Sequence, residues 1–218
     1  MKNIAIIFVL ILTIISCSEK QNPQKESEEV TMLKEKIAKF VPVEITYDEA
    51  LLTDREKVVL EKLYRASKII DELFLEQVYI ENYQIKSDLI SKTANKSILE
   101  REPELKPQLE LFNIMFGPFD RLEDNKPFIG KNTKPLGANF YPVDMSKEEF
   151  EKWIKDIPAD EKTFTSEFTI IRRDNGKLVA IPYSEYFKDK LTAASNLLKE
   201  AAEYSDNPSL KKYLLSRA

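Results

Sequence analysis

The 218-residue sequence contains no histidine, one cysteine and four glycines, and each of these shortages excludes a class of chemistry. Without an imidazole, the sequence cannot supply a Ser-His-Asp triad, a His general base or a His-containing zinc site. A single cysteine excludes an intrachain disulfide and a Cys-x-x-Cys motif. The four glycines lie too far apart for the phosphate-binding loops G-x-G-x-x-G and G-x-x-x-x-G-K-[ST]. Any site must therefore use carboxylates, Lys, Arg, Tyr, hydroxyls or the backbone.

The remaining composition is that of a globular chain, with 43% hydrophobic and 32% charged residues and a formal net charge of −4. Positive and negative residues are interspersed, so no basic patch favours nucleic acid as a partner. Adjacent acids such as residues 28–29 and 148–149 fall on predicted solvated segments or helix starts, where a negative charge favours the helix dipole. We therefore predict no catalytic carboxylate pair, no metal ligand and no cofactor in this chain.

The first segment has the features of a secretory signal. Lys2 provides a positive start, and residues 4–15 form an apolar run interrupted only by Thr13. The run is shorter than the ~20 residues that a membrane-spanning helix requires, so we interpret residues 1–16 as a signal peptide. It ends at Ser16-Cys17, which resembles a bacterial lipobox, where the chain is cut before the cysteine and the cysteine is acylated. The alternative is an ordinary secretory signal followed by an unrelated thiol.

Lipidation at Cys17 would anchor the chain to a membrane of the bacterial cell envelope. Each buried CH₂ contributes about 0.8 kcal/mol and a single acyl chain holds only weakly, so stable anchoring requires several chains. Residues 18–29 carry no apolar side chain except one proline and are predicted to form a tether. We therefore divide the chain into a signal peptide (residues 1–16), a lipidated tether (17–30) and a folded domain (31–218).

The folded domain is predicted to be mainly α-helical, within the α+β class. Apolar residues from Val30 to Val41 recur at helical spacing and predict a short helix that ends before Pro42. Thr53 and Glu56 fit a capping box ahead of a helix that runs to about Val78. Further helices are predicted around residues 85–89, from Pro103 or Pro107 to Phe116, from Ser146 to Ile157 with Trp153 in the core, from Ser184 to Ala201, and from Asn207 to Leu214.

One β-hairpin is predicted near residues 164–183. Residues 164–173 and 177–183 are rich in β-branched and aromatic side chains, and they flank Asn175-Gly176. This pair accepts the positive φ angles that a short hairpin turn requires.

Residues 117–145 follow neither helical nor strand periodicity and hold three of the four glycines and four prolines. A structureless segment of this length is uncommon unless it binds something or is held by its own side chains. Two interpretations stay open: an ordered connector whose aromatic residues complete the core, or a segment that contacts a ligand or partner. The candidate contact residues are Phe119, Asp120, Arg121, Asn139 and Tyr141.

Three stretches of the sequence resemble the amino-terminal lobe of bacterial zinc peptidases related to dipeptidyl-peptidase III. They are residues 116–130 (FGPFDRLEDNKPFIG), residues 134–145 (KPLGANFYPVDM) and, more weakly, residues 207–214 (NPSLKKYL). The resemblance extends loosely from about residue 50 to residue 218. Its most specific part is the 117–145 segment, whose mixture of Gly, Pro, Phe and Asn is not typical of a generic helical domain.

The resemblance implies part of a two-lobed enzyme with its site in the cleft between the lobes. Members of this family bind one zinc ion through a His-Glu motif, a second His and a downstream Glu, and they remove dipeptides from the amino terminus of peptides. No residue of this sequence matches a zinc ligand or the catalytic Glu, so no catalytic residue carries over. We expect the chain alone to hold no stoichiometric zinc and to show no aminopeptidase activity.

Three functions are compatible with these observations. In the first, the chain is a truncated or split amino-terminal lobe of such a peptidase, with the second lobe as its partner. Alternatively, it is a stand-alone lipoprotein that binds peptides or a partner protein through residues 117–145. A purely structural role in the envelope is the third.

Replacing Cys17 by Ser is expected to abolish lipid attachment, because a hydroxyl cannot form the thioether that carries the lipid. Metabolic labelling with a radioactive fatty acid should mark the wild-type chain and a Ser16→Ala control, but not Cys17→Ser. The Cys17→Ser chain should also leave the membrane fraction. Equal labelling of the wild-type chain and Cys17→Ser would contradict the lipidation of Cys17.

Overall fold

The computed structural model describes residues 26–218, and in this range the chain is mainly α-helical, as the sequence predicted. The helices are α1 (Glu28–Ile37), α2 (Asp54–Val78), α3 (Asn82–Ala94), α4 (Lys96–Arg101), α5 (Leu105–Met115), α6 (Lys147–Asp156), α7 (Glu161–Phe164), α8 (Tyr183–Tyr186), α9 (Lys188–Tyr204) and α10 (Pro208–Arg217). The strands are β1 (Phe119–Asp120), β2 (Lys126–Pro127), β3 (Thr169–Asp174) and β4 (Lys177–Pro182). The predicted signal peptide and Cys17 lie outside the described residues.

The two longest helices, α2 and α9, pack against each other in antiparallel directions and form the frame of the fold. Three ion pairs cross between α2 and the α9 region in opposite chain order: Arg55 with Asp206, Lys62 with Glu200, and Glu76 with Lys190. Helices α2 and α9 also share an apolar contact with α10, formed by small and branched side chains: Val59, Ala201, Ala202 and Leu214. The two alanines have small side chains and allow the backbones of α2 and α9 to approach closely. The three ion pairs lie at the partly exposed edges of this contact.

Helix α2 begins and ends where the sequence predicted. The Thr53 hydroxyl accepts the amide N–H of Glu56, and the Glu56 carboxylate accepts the amide N–H of Thr53 at 2.8 Å, which completes the capping box. The helix then runs for 25 residues to Val78, after which Tyr79 is extended. Its length lets one helix contribute to four apolar clusters along the molecule.

The largest apolar cluster joins α1, α3 and α5 around the fully buried Phe112. Its buried members are Leu33, Leu75, Leu89, Leu105, Leu111, Phe112, Met115 and Phe128. Phe128 comes from the irregular segment after β2, so that segment contributes to the core, as one of the two interpretations of residues 117–145 proposed.

The β3–β4 hairpin forms a second core with α6 and α7. Its strands pair from Thr169↔Pro182 to Asp174↔Lys177, and the turn residues Asn175 and Gly176 have φ angles of 47° and 77°. The predicted hairpin is thus confirmed, and its Asn-Gly turn is of the kind that matches strand twist. The prediction that the first strand starts at Phe164 is wrong, because Phe164 ends α7 and packs against Trp153 instead.

Several helix boundaries differ from the predictions. Helix α1 begins at Glu28, so the last residues of the predicted tether are helical, and it ends at Ile37. Phe40 then turns back onto the core next to α1, which leaves Val41 exposed rather than on the helical stripe. Phe116 is not helical: it has a φ of 55° and closes α5 as a left-handed cap, because its amide and that of Gly117 both bond to the Phe112 carbonyl.

Other elements were absent from the sequence predictions. Helix α4 and the short β1–β2 hairpin were not anticipated, since six and two residues are too few for a periodic signal. The predicted helix from Ser184 is divided into α8 and α9 at Phe187. None of the helices within residues 26–218 is both long enough and apolar enough to cross a bilayer.

Replacing Thr53 by Ala is expected to lower the free energy of unfolding by about 1 kcal/mol, because the cap hydroxyl satisfies a helix N–H that has no other partner. Urea unfolding of the purified chain, followed by far-UV circular dichroism, measures the change. Thr133→Ala serves as the control, since Thr133 is exposed and lies outside every helix. Equal stability of the two variants would contradict the role of this cap.

Candidate functional site

Residues 117–145 begin at a tight contact with helix α3. Gly117 has a φ of 150°, and a Cβ built there would lie 3.1 Å from Oδ1 of the buried Asn82. Asn82 Nδ2 donates to the carbonyls of Leu75 and Phe116 at 2.8 and 3.1 Å. The Asn82 side-chain amide therefore joins the carboxyl-terminal part of α2 to the end of α5. A Cβ at position 117 would crowd this amide, so the position requires glycine.

The β1–β2 hairpin follows at once, with Phe119 opposite Pro127 and Asp120 opposite Lys126. Its turn is closed by Asp120, whose carbonyl accepts the amides of Glu123 and Asn125 and whose side chain accepts the amide of Leu122. Because the side chain of Asp120 points back into the turn, the carboxylate is buried.

Lys36 on α1 neutralises that buried carboxylate. Its Nζ lies 2.6 Å from Asp120 Oδ2 and 2.8 Å from Glu123 Oε2, and the Lys36 and Asp120 side chains are only 10% and 2% exposed. Burial alone would raise the pKa of Asp120, but the hydrogen bonds from Lys36 and from the Leu122 amide outweigh it and lower that pKa. The ion pair thus fixes the hairpin onto α1.

Asn139 fixes the other end of the segment to the carboxyl terminus of α2. Its amide N–H donates to the Gln77 carbonyl at 3.0 Å, and its Nδ2 donates to the Glu76 carbonyl at 2.8 Å. Arg172 on β3 donates to both oxygens of Asn139, each at 3.0 Å, and to the Tyr186 hydroxyl at 2.9 Å. One asparagine therefore connects α2, the segment and the β3–β4 hairpin.

The two aromatic residues after Asn139 pack onto different clusters: Phe140 onto Leu73, Ile170 and Phe187, and Tyr141 onto the second core. The amide of Ile171 donates to the Phe140 carbonyl at 2.8 Å. Tyr141 meets Phe150 edge-on, with ring centroids 5.7 Å apart. Trp153 stacks on Phe164 at 5.9 Å and its Nε1 donates to Asp160 at 3.0 Å, so its assignment to the core agrees with the structure.

The five candidate contact residues separate into two groups. Phe119, Asp120 and Asn139 are only 3%, 1% and 6% exposed, so their side chains lie in the interior and not on a contact surface. Arg121 and Tyr141 line two different surface cavities. The segment is therefore an ordered connector that also presents a few side chains to solvent.

The first cavity, of about 410 Å³, lies between α2 and the segment. Phe74, Gln77 and Val78 of α2 form one wall, and the facing residues of the segment are Arg121, Asn125, Lys134, Ala138 and Phe140. Arg121 lies over the Phe74 ring, 5.1 Å from its centroid. Sequence reasoning singled out Arg121 but missed Lys134 and Phe74, because no spacing rule connects a helix with residues some 50 positions later.

The second cavity, of about 580 Å³, is formed by residues 135–150 around Tyr141. Its lining is mostly apolar and includes Leu136, Val143, Met145 and Phe150. Lys147 and Glu148 at the start of α6 also line it, so the cavity suits an apolar group that carries a polar end.

Within residues 26–218, no three His, Cys, Asp or Glu side chains lie close enough to hold a metal ion. The donor set of the whole sequence is also poor for zinc, since it includes no imidazole. The residues from 26 to 218 therefore offer no ligand set for a catalytic zinc ion.

Comparisons with known proteins identify solved structures that share this fold and a relative that is similar in sequence. The dipeptidyl-peptidase III of Caldithrix abyssi is 58% identical in the matched region and superposes with a TM-score of 0.77 over 84% of this chain. The dipeptidyl-peptidase III of Corallococcus sp. strain EGB is 36% identical and superposes with the same TM-score over 86% of this chain. A protein of Arabidopsis thaliana named Nudix hydrolase 3 is 28% identical over 85% of this chain. No protein-family model matches.

The chain spans about a third of the length of each relative: 34% of each bacterial structure and 30% of the Arabidopsis protein. The resemblance to part of bacterial dipeptidyl-peptidase III is thereby confirmed in both sequence and fold.

Replacing Asp120 by Asn is expected to lower the free energy of unfolding at pH 7 by about 3 kcal/mol, because the buried Lys36 loses its closest counter-charge. The pKa of Asp120 is lower in the folded chain than in the unfolded chain, so the stabilisation is present above about pH 4. It is lost as the pH falls through the folded-state pKa. Urea unfolding at a series of pH values should show the wild type and the variant converging in acid.

Asp71→Asn provides the matched control, because the Lys68–Asp71 pair is exposed and should contribute less than about 1 kcal/mol. A constant difference between wild type and Asp120→Asn down to pH 2 would contradict the ionic origin of the effect.

Proposed function

We propose that this chain forms the part of a dipeptidyl-peptidase III-like peptidase that does not hold the metal. The observation that carries the proposal is the 58% identity and TM-score of 0.77 with one third of a bacterial dipeptidyl-peptidase III. The chain would form one wall of a peptide cleft, and a second lobe would supply the other wall.

The absence of histidine from this sequence supports the assignment of the metal site to the second lobe. A catalytic zinc site needs three protein ligands and an open position. This sequence offers no imidazole, and the acidic residues in its described part form no metal-binding cluster. In this proposal the second lobe supplies the zinc ligands and the catalytic acid or base, and this chain binds and orients the peptide.

An exposed apolar stretch between α1 and α2 supports an interface with that lobe. Val41, Val43 and Ile45 are 81%, 79% and 91% exposed, and their alternate spacing is that of one face of an extended chain. Neighbouring apolar side chains left open to water mark protein interfaces more often than free surfaces. The stretch belongs to no helix or strand, so it is free to pair with another element.

We propose further that the chain is a lipoprotein of the bacterial cell envelope, anchored through Cys17. The support is the sequence alone: a positive start, a short apolar run, and the single cysteine at its end. The anchor would hold the peptidase at the membrane surface.

A stand-alone peptide- or protein-binding lipoprotein is the second candidate. The two surface cavities formed by residues of the 117–145 segment favour it, because both combine apolar walls with open access. The name of the Arabidopsis relative favours neither candidate, since this chain covers only 30% of that protein.

A hybrid enzyme tests the peptidase proposal. Residues 26–218 of this chain would replace the matching third of the Caldithrix abyssi dipeptidyl-peptidase III. We expect the hybrid to bind one zinc ion and to release dipeptides from a chromogenic substrate at a rate within about tenfold of the parent enzyme. A tenfold loss corresponds to a change of about 1.4 kcal/mol in transition-state binding. This chain alone should bind no stoichiometric zinc and should release no dipeptide from the substrate.

A hybrid that folds and binds zinc but releases no dipeptide would contradict the proposal, as would one tightly bound zinc per molecule of this chain alone. A hybrid with Val43→Asp and Ile45→Asp should lose activity through a weakened interface. Leu215→Asp is the control, because Leu215 is also exposed but lies on α10.

A further inference from the structure

The cavity between α2 and the 117–145 segment brings two cationic side chains together. Arg121 enters it from the β1–β2 turn and Lys134 from the stretch after β2. Lys134 Nζ lies 3.3 Å from Asn125 Oδ1, which orients the ammonium group. Arg121 is near enough for its positive charge to disfavour the protonated form of Lys134.

No carboxylate of residues 26–218 forms an ion pair with either cation. The acids closest in sequence, Asp120 and Glu123, are already bound by Lys36. Burial lowers the pKa of Arg121, and burial together with the positive charge of Arg121 lowers the pKa of Lys134. Lys134 is half-buried and Arg121 is more exposed, and two neighbouring positive charges without a counter-ion become more favourable once an anion enters.

The walls of the cavity indicate which anion fits. Phe74, Val78 and Phe140 are apolar, and the Arg121 guanidinium lies over the Phe74 ring, with its Cζ 5.1 Å from the ring centroid. A free inorganic ion would gain nothing from these apolar walls. A carboxylate attached to an apolar side chain would use both the charges and the walls, within a cavity of about 410 Å³.

We infer that this cavity is a binding site for the terminal carboxylate of a short peptide with an apolar last residue, held by Arg121 and Lys134. The inference rests on the proposed peptide-binding role and adds to it the end of the peptide that this chain recognises. Arg121 would bind the carboxylate through two N–H groups, and Lys134 would add a single charge-assisted hydrogen bond. Phe74 and Phe140 would contact the last side chain.

The probes are N-acetylphenylalanine and its neutral amide, which differ only in the carboxylate. Titration of the purified full chain, followed by isothermal calorimetry or by amide chemical shifts, should show the acid binding at least about tenfold more tightly than the amide. Arg121→Gln and Lys134→Gln should each weaken binding of the acid at least about tenfold and leave the amide unchanged, as expected for a charged hydrogen bond. Inorganic phosphate should compete only weakly.

Lys131→Gln is the matched control, because Lys131 is an exposed cation of the same segment and does not line this cavity. Equal affinity for the acid and the amide would overturn the inference. So would an equal loss of binding in Lys131→Gln, or no detectable binding of the acid at 10 mM, roughly the weakest affinity that such a site should show.

The outcome is separable from that of the hybrid enzyme. An active hybrid together with a chain that does not prefer the acid would overturn only the carboxylate site. Preference for the acid together with a zinc-loaded but inactive hybrid would overturn only the peptidase proposal. Circular dichroism of each glutamine variant shows whether a loss of affinity comes from the pocket or from unfolding.

Discussion

The carboxyl end of helix α2 is the point on which the rest of the structure depends. A helix leaves its last carbonyls without partners, and here those of Glu76 and Gln77 are satisfied by Asn139, a residue more than 60 positions later. Arg172 then binds the oxygens of the same asparagine from the β3–β4 hairpin. Because Asn139 is buried and its partners are half-buried, loss of one partner leaves a poorly hydrated polar atom without a hydrogen bond. The helical half, the irregular segment and the hairpin are thus held in one arrangement.

The same constraint explains why a segment with so little regular structure can carry a site. Residues 117–145 are fixed at Gly117 by Asn82, at Asp120 by Lys36 and at Asn139 by α2. Between these anchors the backbone has little freedom, so the side chains that still face solvent keep defined positions. Arg121 and Lys134 therefore line the same cavity although 12 residues separate them in the sequence.

The chemistry of the chain and its similarity to other proteins support one another. The described residues offer no cluster of metal ligands, yet they present aromatic walls, cationic side chains and an exposed apolar stretch that a second lobe would cover under the proposed function. Under the proposed function, such a surface would bind and position a peptide while the reaction takes place on residues of the second lobe. Splitting binding from catalysis across two lobes also means that closing the cleft would bring the two together.

The sequence by itself determined the elements whose signals are local: the capping box at Thr53, the stop at Val78, the Asn175-Gly176 turn, the Asn207 cap and the exclusion of imidazole chemistry. Its family-like stretches also identified the relatives. Only the tertiary structure decided which residues of the 117–145 segment are buried, that Lys36 neutralises Asp120, and that Lys134 and Phe74 complete a cavity with Arg121. Those relations join residues dozens of positions apart, and no periodicity or motif encodes them, because they arise only when separate elements pack together.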